Sequence, residues 1–430
     1  MLRRRRWPEP RVRRLLAVSC DLSERTRPLH ERYADNLELE LLFACARWPQ
    51  RDSDRLLIRE LAAHEPDWSR LVQLVTHHRI VPVVSHNLHR ALSETTAAGA
   101  QQAIAELRRH AAANAMTTLR LLRELKRVLV ALDAAGVDAR VLKGLPLAQI
   151  VFGDISLRAP GDLDVLIDPR QIVTADRVIQ GLGYTGLFEL GRFSSKQLAY
   201  YRAHWKDVTY TNRTEGNQLD LHWSCFRNPS MPGARLFATG TWETVTFGGL
   251  CVKTLPAREG LLYLCVHGTL DGWVYLKPLV DVAAQVRAMT ESELDELVDL
   301  ATRHGILPEL SATLLLVRRW LALDHWSRRL LPETDQTVRH ILRYVARTLD
   351  VHAFRATREE IPISTTLQFE WGLRRGFRYR REVVQRVLYR ARMWETIPLP
   401  DWLFWAYPLL SPVEWVLFRI RHRRAQAANV

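Results

Sequence analysis

Apolar residues first recur at helical spacing in Leu37-Leu39-Leu41-Leu42-Phe43 and in Leu56-Leu57-Ile58-Leu61, where positions three and four apart share a face. Pro66-Asp67-Trp68 reads as a helix start ahead of Leu71-Val72-Leu74-Val75, and Pro82 opens a further helix carrying Val83, Val84 and Leu88. A long amphipathic helix is predicted over 98–134, with Ile104, Leu107, Leu119, Leu122, Leu125, Val128, Leu129 and Leu132 along one stripe and Gly136 at its end. The period then changes. Asp138 to Leu142 predicts a short strand, Lys143-Gly144 a turn, and Pro146 the first turn of a helix reaching about Phe152. A loop over 153–161 leads into a second strand, Leu163-Asp164-Val165-Leu166-Ile167, and a helix at about 170–181 ends at Gly181-Leu182-Gly183. Two more strands are predicted at about 206–212 and 217–223, and Phe247-Gly248-Gly249-Leu250 supplies a hairpin turn. From Pro256 to about 350 the spacing is helical again.

This order predicts an α+β fold in which a small mixed β-sheet core is flanked by N-terminal and C-terminal helical regions. The boundaries fall at 1–35 for a basic, proline-punctuated lead, 36–134 for a helical region and 135–255 for the α/β core. A second helical region covers 256–350, and 351–430 is a basic and aromatic C-terminal segment.

Composition narrows the class. With 47% hydrophobic and 25% charged residues the chain has the make-up of a soluble globular protein, and no run approaches the roughly 18 apolar residues that span a bilayer. No transmembrane helix is expected. Met1-Leu2-Arg3-Arg4-Arg5-Arg6-Trp7 is followed by arginine and acid instead of an apolar stretch, so a cytoplasmic location is expected, with peripheral membrane contact left open. Cys20, Cys45, Cys225, Cys251 and Cys265 are odd in number, mostly set among apolar neighbours and contain no CxxC pair, which argues for buried thiols in a reducing cytoplasm and against a disulfide frame or zinc site. The net charge of +14 fits a polyanionic partner, nucleic acid or an anionic membrane surface, and equally an arginine-rich proteome. His77, His78, His86 and His89 have metal-like spacing but no accompanying carboxylates, so they read as solvated or packed histidines.

The chemistry concentrates in the core. Asp162 and Asp164 stand at i and i+2 of a strand, where side chains point to the same face. Two carboxylates about 4 Å apart repel by about 4 kcal/mol at an effective dielectric of 20, so a divalent cation between them is the natural complement. Mg2+ or Mn2+ suits an all-oxygen site. Asp220 is the acid of a second strand, Gln218-Leu219-Asp220-Leu221-His222-Trp223, and joins the pair if that strand lies alongside. Three carboxylates can hold two ions, the arrangement that serves phosphoryl or nucleotidyl transfer; strand-end acids facing water are the alternative. Upstream, Gly144 lets the backbone approach a phosphate at a helix N-terminus, with Lys143 beside it. Arg158 is a second candidate for a triphosphate, unless it pairs with a loop acid such as Asp154.

Three segments in order carry a resemblance: Val141-Leu142-Lys143-Gly144, then Leu157 through Ile167, then Leu219-Asp220-Leu221-His222-Trp223. Together they resemble the uncharacterised bacterial nucleotidyltransferase family of the DNA polymerase β-like superfamily. The likeness extends from Trp68–Leu88 upstream to Cys265-Val266-His267-Gly268, Trp273 and Leu276 to Asp281 downstream, covering about 40–290. It implies a nucleotidyltransferase core in which Asp162, Asp164 and Asp220 are catalytic and metal-binding, and Lys143-Gly144 is the nucleotide turn. The substrate would be a nucleoside triphosphate, with an unidentified small-molecule, glycan, peptide or protein acceptor. Many members of the wider superfamily have Gly-Ser in that turn; here Leu145 follows Gly144, so no hydroxyl is offered. His222 and His267 are further phosphate or acceptor candidates, against the alternative of packed histidines beside Trp223 or on an apolar helix.

Two other functions stay open: a toxin-like tRNA nucleotidyltransferase, favoured by the basic charge, and an inactive nucleotidyltransferase fold acting as a scaffold, favoured by the missing serine. Trp402, Phe404, Trp405, Tyr407, Trp415 and Phe418 beside Arg419, Arg421, Arg423 and Arg424 could anchor to a membrane surface, pack on the body or stack on RNA.

Overall fold

The computed structural model describes residues 37–159, 161–323, 326–349 and 361–411. Among the described residues four helices come first, α1 (Leu37–Cys45), α2 (Asp52–Ala62), α3 (Trp68–His77) and α4 (Val81–Ala91), and then the long α5 (Ala98–Ala134). The α/β part follows as β1 (Arg140–Val141), α6 (Leu145–Phe152), β2 (Leu163–Leu166), α7 (Ile172–Gly181), β3 (Thr185–Gly186), α8 (Ser195–His204), β4 (Asp207–Asn212), β5 (Asn217–His222), α9 (Ala234–Thr239), β6 (Glu243–Phe247) and β7 (Leu250–Thr254). Helices then run through α10 (Ala257–Asp271), α11 (Lys277–Ala288), α12 (Glu291–Arg303), α13 (Leu307–Trp320) and α14 (Gln336–Thr348). The last three are α15 (Ile363–Leu373), α16 (Phe377–Leu388) and α17 (Ala391–Thr396).

The seven strands form one mixed sheet in the order β3-β4-β5-β2-β1-β7-β6. In the centre β2 runs parallel to β5 and antiparallel to β1, while β6 and β7 form the hairpin turned by Gly248 and Gly249. Strand alternation divides β2 between two cores. Leu163, Val165 and Ile167 pack with Leu219 and Leu221 of β5 against Leu121, Leu125, Val128 and Leu132 of α5. Leu166, on the opposite face, joins a helical core containing Leu261, Leu262 and Val266 of α10. The acids of β2 and β5 share that second face, where Asp164 is buried and Asp220 half-buried.

The structure corrects some local expectations and bears out others. The stripe of α5 leaves Leu119 exposed and buries Thr118 and Leu121 instead, because a 37-residue helix drifts out of register with one partner and meets a different one at each end. The strand predicted from Asp138 pairs only over Arg140 and Val141. Cys45, Cys225 and Cys265 are buried, but Cys251 is exposed, because it sits on the outward-facing side of the β6–β7 hairpin, and Cys20 lies outside the described residues. His77 and His78 pack edge to face at 4.9 Å, His77 also meets Tyr275, and His86 lies against Trp48. Among the described residues no helix is long and apolar enough to cross a membrane. Phe404 and Tyr407 are buried in the sheet-side core, whereas Trp402 and Trp405 are exposed. The lead over 1–35 lies outside the described residues, as do Trp415, Phe418, Arg419, Arg421, Arg423 and Arg424.

Candidate active site

The site begins where β1 ends. Leu142 N–H donates to the carbonyl of Asp164, which brings the Lys143-Gly144 turn beside the start of β2. Gly144 caps α6 at φ 79° and ψ −122°, a backbone conformation that a side chain would strain, and Pro146 fits the first helical turn behind it. Lys143 thereby places its ammonium 3.0 Å from Asp164 Oδ2 and 4.0 Å from Asp162 Oδ1.

The pairing of β2 with β5 sets Asp164 directly opposite Asp220, and His222 opposite Leu166. Asp164 Oδ1 lies 3.1 Å from His222 Nε2; since a carboxylate only accepts, Nε2 carries the proton. His222 Nδ1 faces Asp207 Oδ2 at 3.8 Å, and Asp207 pairs with Lys206 at 2.7 Å. Thr209 Oγ1 donates to Asp220 Oδ1 at 2.7 Å. Among the described residues, Asp164, Asp220 and His222 present ligand atoms within 4.8 Å of one another. Asp162 stands at the mouth of this cluster, a third exposed and turned toward Lys143.

The two facing acids are held in different states. Burial alone would raise the Asp164 carboxyl, but the Lys143 ammonium and the His222 hydrogen bond outweigh it and keep the group far below the usual carboxylate range. Asp220 is pushed up to about 6 by burial first, opposed by its bond from Thr209 and reinforced by the charges of Asp164 and Asp162. A folded-state value above the unfolded one means that the native protein holds the extra proton. Asp220 therefore contributes stability that is complete below about 4 and lost as pH rises through about 6. In chelator, Asp220→Asn is expected to melt higher than the wild type at pH 8, by about 2 kcal/mol of stability, and equal to it near pH 4. Thermal denaturation across that range checks the sign; a variant less stable at pH 8 would show that Asp220 is not strained by its neighbours.

A family model described as an uncharacterised nucleotidyltransferase matches residues 64–322. The chain belongs to that nucleotidyltransferase family. Neither a curated protein nor a solved structure matches the chain. A nucleotidyltransferase must meet a polyphosphate with positive charge; Lys277 approaches Asp162 from the helical side, and Arg158 lies beside Lys277.

Arg158 does not pair with Asp154, which instead caps the short turn at Ser156. Its Nε lies 3.1 and 3.0 Å from the two oxygens of Asp281 on α11, and both side chains are buried. One turn earlier on α11, at its N-terminus, is Lys277, whose Nζ lies 3.7 Å from where a Cβ on Gly161 would be. Burial, with Arg158 and Lys143 nearby, lowers the Lys277 ammonium to about 7 against the pull of Asp281 and Asp162. In this nucleotidyltransferase, Lys143, Arg158 and Lys277 thus bracket the stretch that leads into Asp162.

His267 lies on α10 with Nδ1 3.3 Å from Asp271 Oδ2, lining a cavity on the His222 side of the sheet. Asp207 carries no motif of its own, whereas His222, Lys277 and Asp281 stand in segments of the family likeness that did not reveal the contacts His222 makes with Asp164 and Asp281 with Arg158. Only the fold reveals that the N-terminal lysine of α11 lies beside Gly161, just ahead of β2.

Proposed function

We propose that this nucleotidyltransferase moves a nucleoside monophosphate from an NTP to an acceptor hydroxyl or phosphate, using divalent metal held by Asp162, Asp164 and Asp220. The observation that carries this reading is the register placing Asp164 against Asp220 beside the Lys143-Gly144 turn. The buried Asp164 and the half-buried Asp220, with Asp162 at the mouth, form an oxygen-rich set that suits Mg2+ or Mn2+. When bound, such metal supplies charge neutralisation on the phosphates and activation of the attacking oxygen.

The protein's own groups then have distinct tasks. His222 fixes the Asp164 carboxylate through Nε2–H, and Thr209 fixes Asp220. Lys143, Lys277 and the backbone at Gly144 hold the β- and γ-phosphates, with Arg158 as the buried support of α11. Asp220, held by the Thr209 hydroxyl, receives the acceptor proton as the acceptor oxygen bonds to the α-phosphorus. The bond from that phosphorus to the bridging oxygen breaks, and pyrophosphate leaves toward Lys143. Leu145 is buried as the first residue of α6, so the turn offers charge from Lys143 where related turns offer a hydroxyl.

Calorimetric titration with each of the four NTPs, with and without Mg2+ or Mn2+, tests the proposal. The wild type is expected to bind at least one NTP in a metal-dependent way, and Asp162→Asn/Asp164→Asn to bind it at least about 100-fold more weakly. Because Lys277 is half neutral near pH 7, binding there should take up protons, visible as buffer-dependent heat that Lys277→Met removes. Absence of binding to any NTP would favour an inactive scaffold.

A further inference from the structure

The chain winds from Asp401 to Ala406 as a 3-10 helix, and 407–411 continue it as an α-helix. In a 3-10 helix the side chains at i and i+3 eclipse, so Trp402 and Trp405 stand in line, and the wider α turn brings Leu409, four residues on, to the same stripe. All three face water, with exposures of 72%, 61% and 68%. One exposed apolar side chain is ordinary, but two indoles and a leucine in a row form a continuous apolar surface.

The segment is pinned so that this stripe stays outside. Its other side buries Phe404 against Tyr200, Tyr389 and Trp394. Tyr407 is fully buried, and its hydroxyl accepts from Gln197 Nε2 and the Leu399 N–H while donating to the Ile397 carbonyl. Ser411 Oγ donates to the carbonyl of Val387. Turning Trp402 and Trp405 inward would break these bonds and expose two buried rings in exchange. Positive charge accompanies the stripe. Lys196 donates to the Asp401 carbonyl with its ammonium 5.7 Å from the Phe404 ring, while the Asp401 carboxylate is engaged by the Ser194 hydroxyl. After Glu414 the sequence brings Arg419, Arg421, Arg423 and Arg424 and no acid.

We propose that Trp402, Trp405 and Leu409 form a lipid-facing surface whose partner is a membrane rich in anionic phospholipid. Indoles settle at the headgroup boundary, apolar body inward and N–H toward water, and Leu409 enters beside them. Neither an apolar patch nor a basic run holds a protein firmly to a bilayer by itself, and this chain has both in succession. RNA would meet the arginines and stack on the indoles but gains nothing from Leu409, and an uncharged protein surface would leave the arginine run unanswered. The assignment is independent of the nucleotidyl-transfer reading, since none of these residues belongs to the carboxylate site.

Co-sedimentation of the full chain with vesicles tests the proposal, comparing phosphatidylcholine alone with phosphatidylcholine carrying about one-quarter phosphatidylserine. The wild type is expected to bind the anionic vesicles and to stay largely in solution with phosphatidylcholine alone. Trp402→Ala/Trp405→Ala/Leu409→Ala should weaken vesicle binding about 100-fold, yet melt with the wild type in the absence of lipid, because the side chains removed are exposed. Arg419→Gln/Arg421→Gln/Arg423→Gln/Arg424→Gln should weaken it about 100-fold as well and leave a remainder that salt no longer affects. No binding to anionic vesicles would overturn the assignment, and so would equal binding by the wild type and the triple apolar variant, which would mean attachment by charge alone. In place of vesicle binding, a dimer dissolved by the triple variant would give the stripe to a second copy, and oligouridylate binding lost in that variant would give it to RNA. A lower melting temperature in the triple variant without lipid would place another part of the chain on the stripe, and each of these results also overturns the proposal.

Discussion

Asp164→Ala is expected to lower nucleotidyl transfer by about 10^3-fold or more, the equivalent of about 4 kcal/mol of transition-state stabilisation. The size follows from position. Asp164 is 2% exposed and stands between Lys143 and His222, so its carboxylate both faces Asp220 and neutralises a buried ammonium. Truncation leaves Lys143 with Asp162 at 4.0 Å and leaves the His222 Nε2–H without its acceptor. Pyrophosphate released from a bound NTP, to an added acceptor or to water, is the readout, with circular dichroism to establish that the variant is folded. A folded Asp164→Ala protein that releases pyrophosphate at the wild-type rate would sink the mechanism.

What the sequence revealed depended on how local the signal was. The i, i+2 spacing of Asp162 and Asp164 is a property of one strand, and the turn at Lys143-Gly144 needs only neighbouring residues, so both could be read directly. Asp220 is different: its place opposite Asp164 requires that β5 lie parallel to β2, a pairing across more than fifty residues that periodicity cannot supply. The family likeness bridged that gap. It did not indicate that His222, two residues on and hence on the same face, would hold Asp164, although the spacing in Asp220-Leu221-His222 contained that information. Arg158 shows the reverse case. Its charge was visible, but its partner Asp281 lies 123 residues away on α11, and the sequence offered nearer acids such as Asp154. Short elements also escaped: β3 has two residues, and α8 is announced mainly by the capping box of Ser194 and Gln197.

The Arg158–Asp281 pair is expected to matter for stability more than any single contact at the carboxylates. Both groups are buried, and together they tie the loop entering β2 to the helix that carries Lys277. Asp281→Ala strands an arginine charge in a nearly dry environment, and the expected loss is about 3–5 kcal/mol of unfolding free energy. If the cost comes from the stranded charge, removing both charges together should restore much of it: Arg158→Met/Asp281→Leu is expected to be more stable than Asp281→Ala, because neither side then needs a counter-charge. Denaturant unfolding of the two variants separates the explanations, and a double variant less stable than Asp281→Ala would mean that the pair acts through shape instead of charge. The same double variant keeps Lys277 but loosens its support. Its NTP affinity should therefore fall by about tenfold while metal binding at Asp164 and Asp220 is retained, since a positioning contact acts on the phosphate cations and not on the carboxylates themselves.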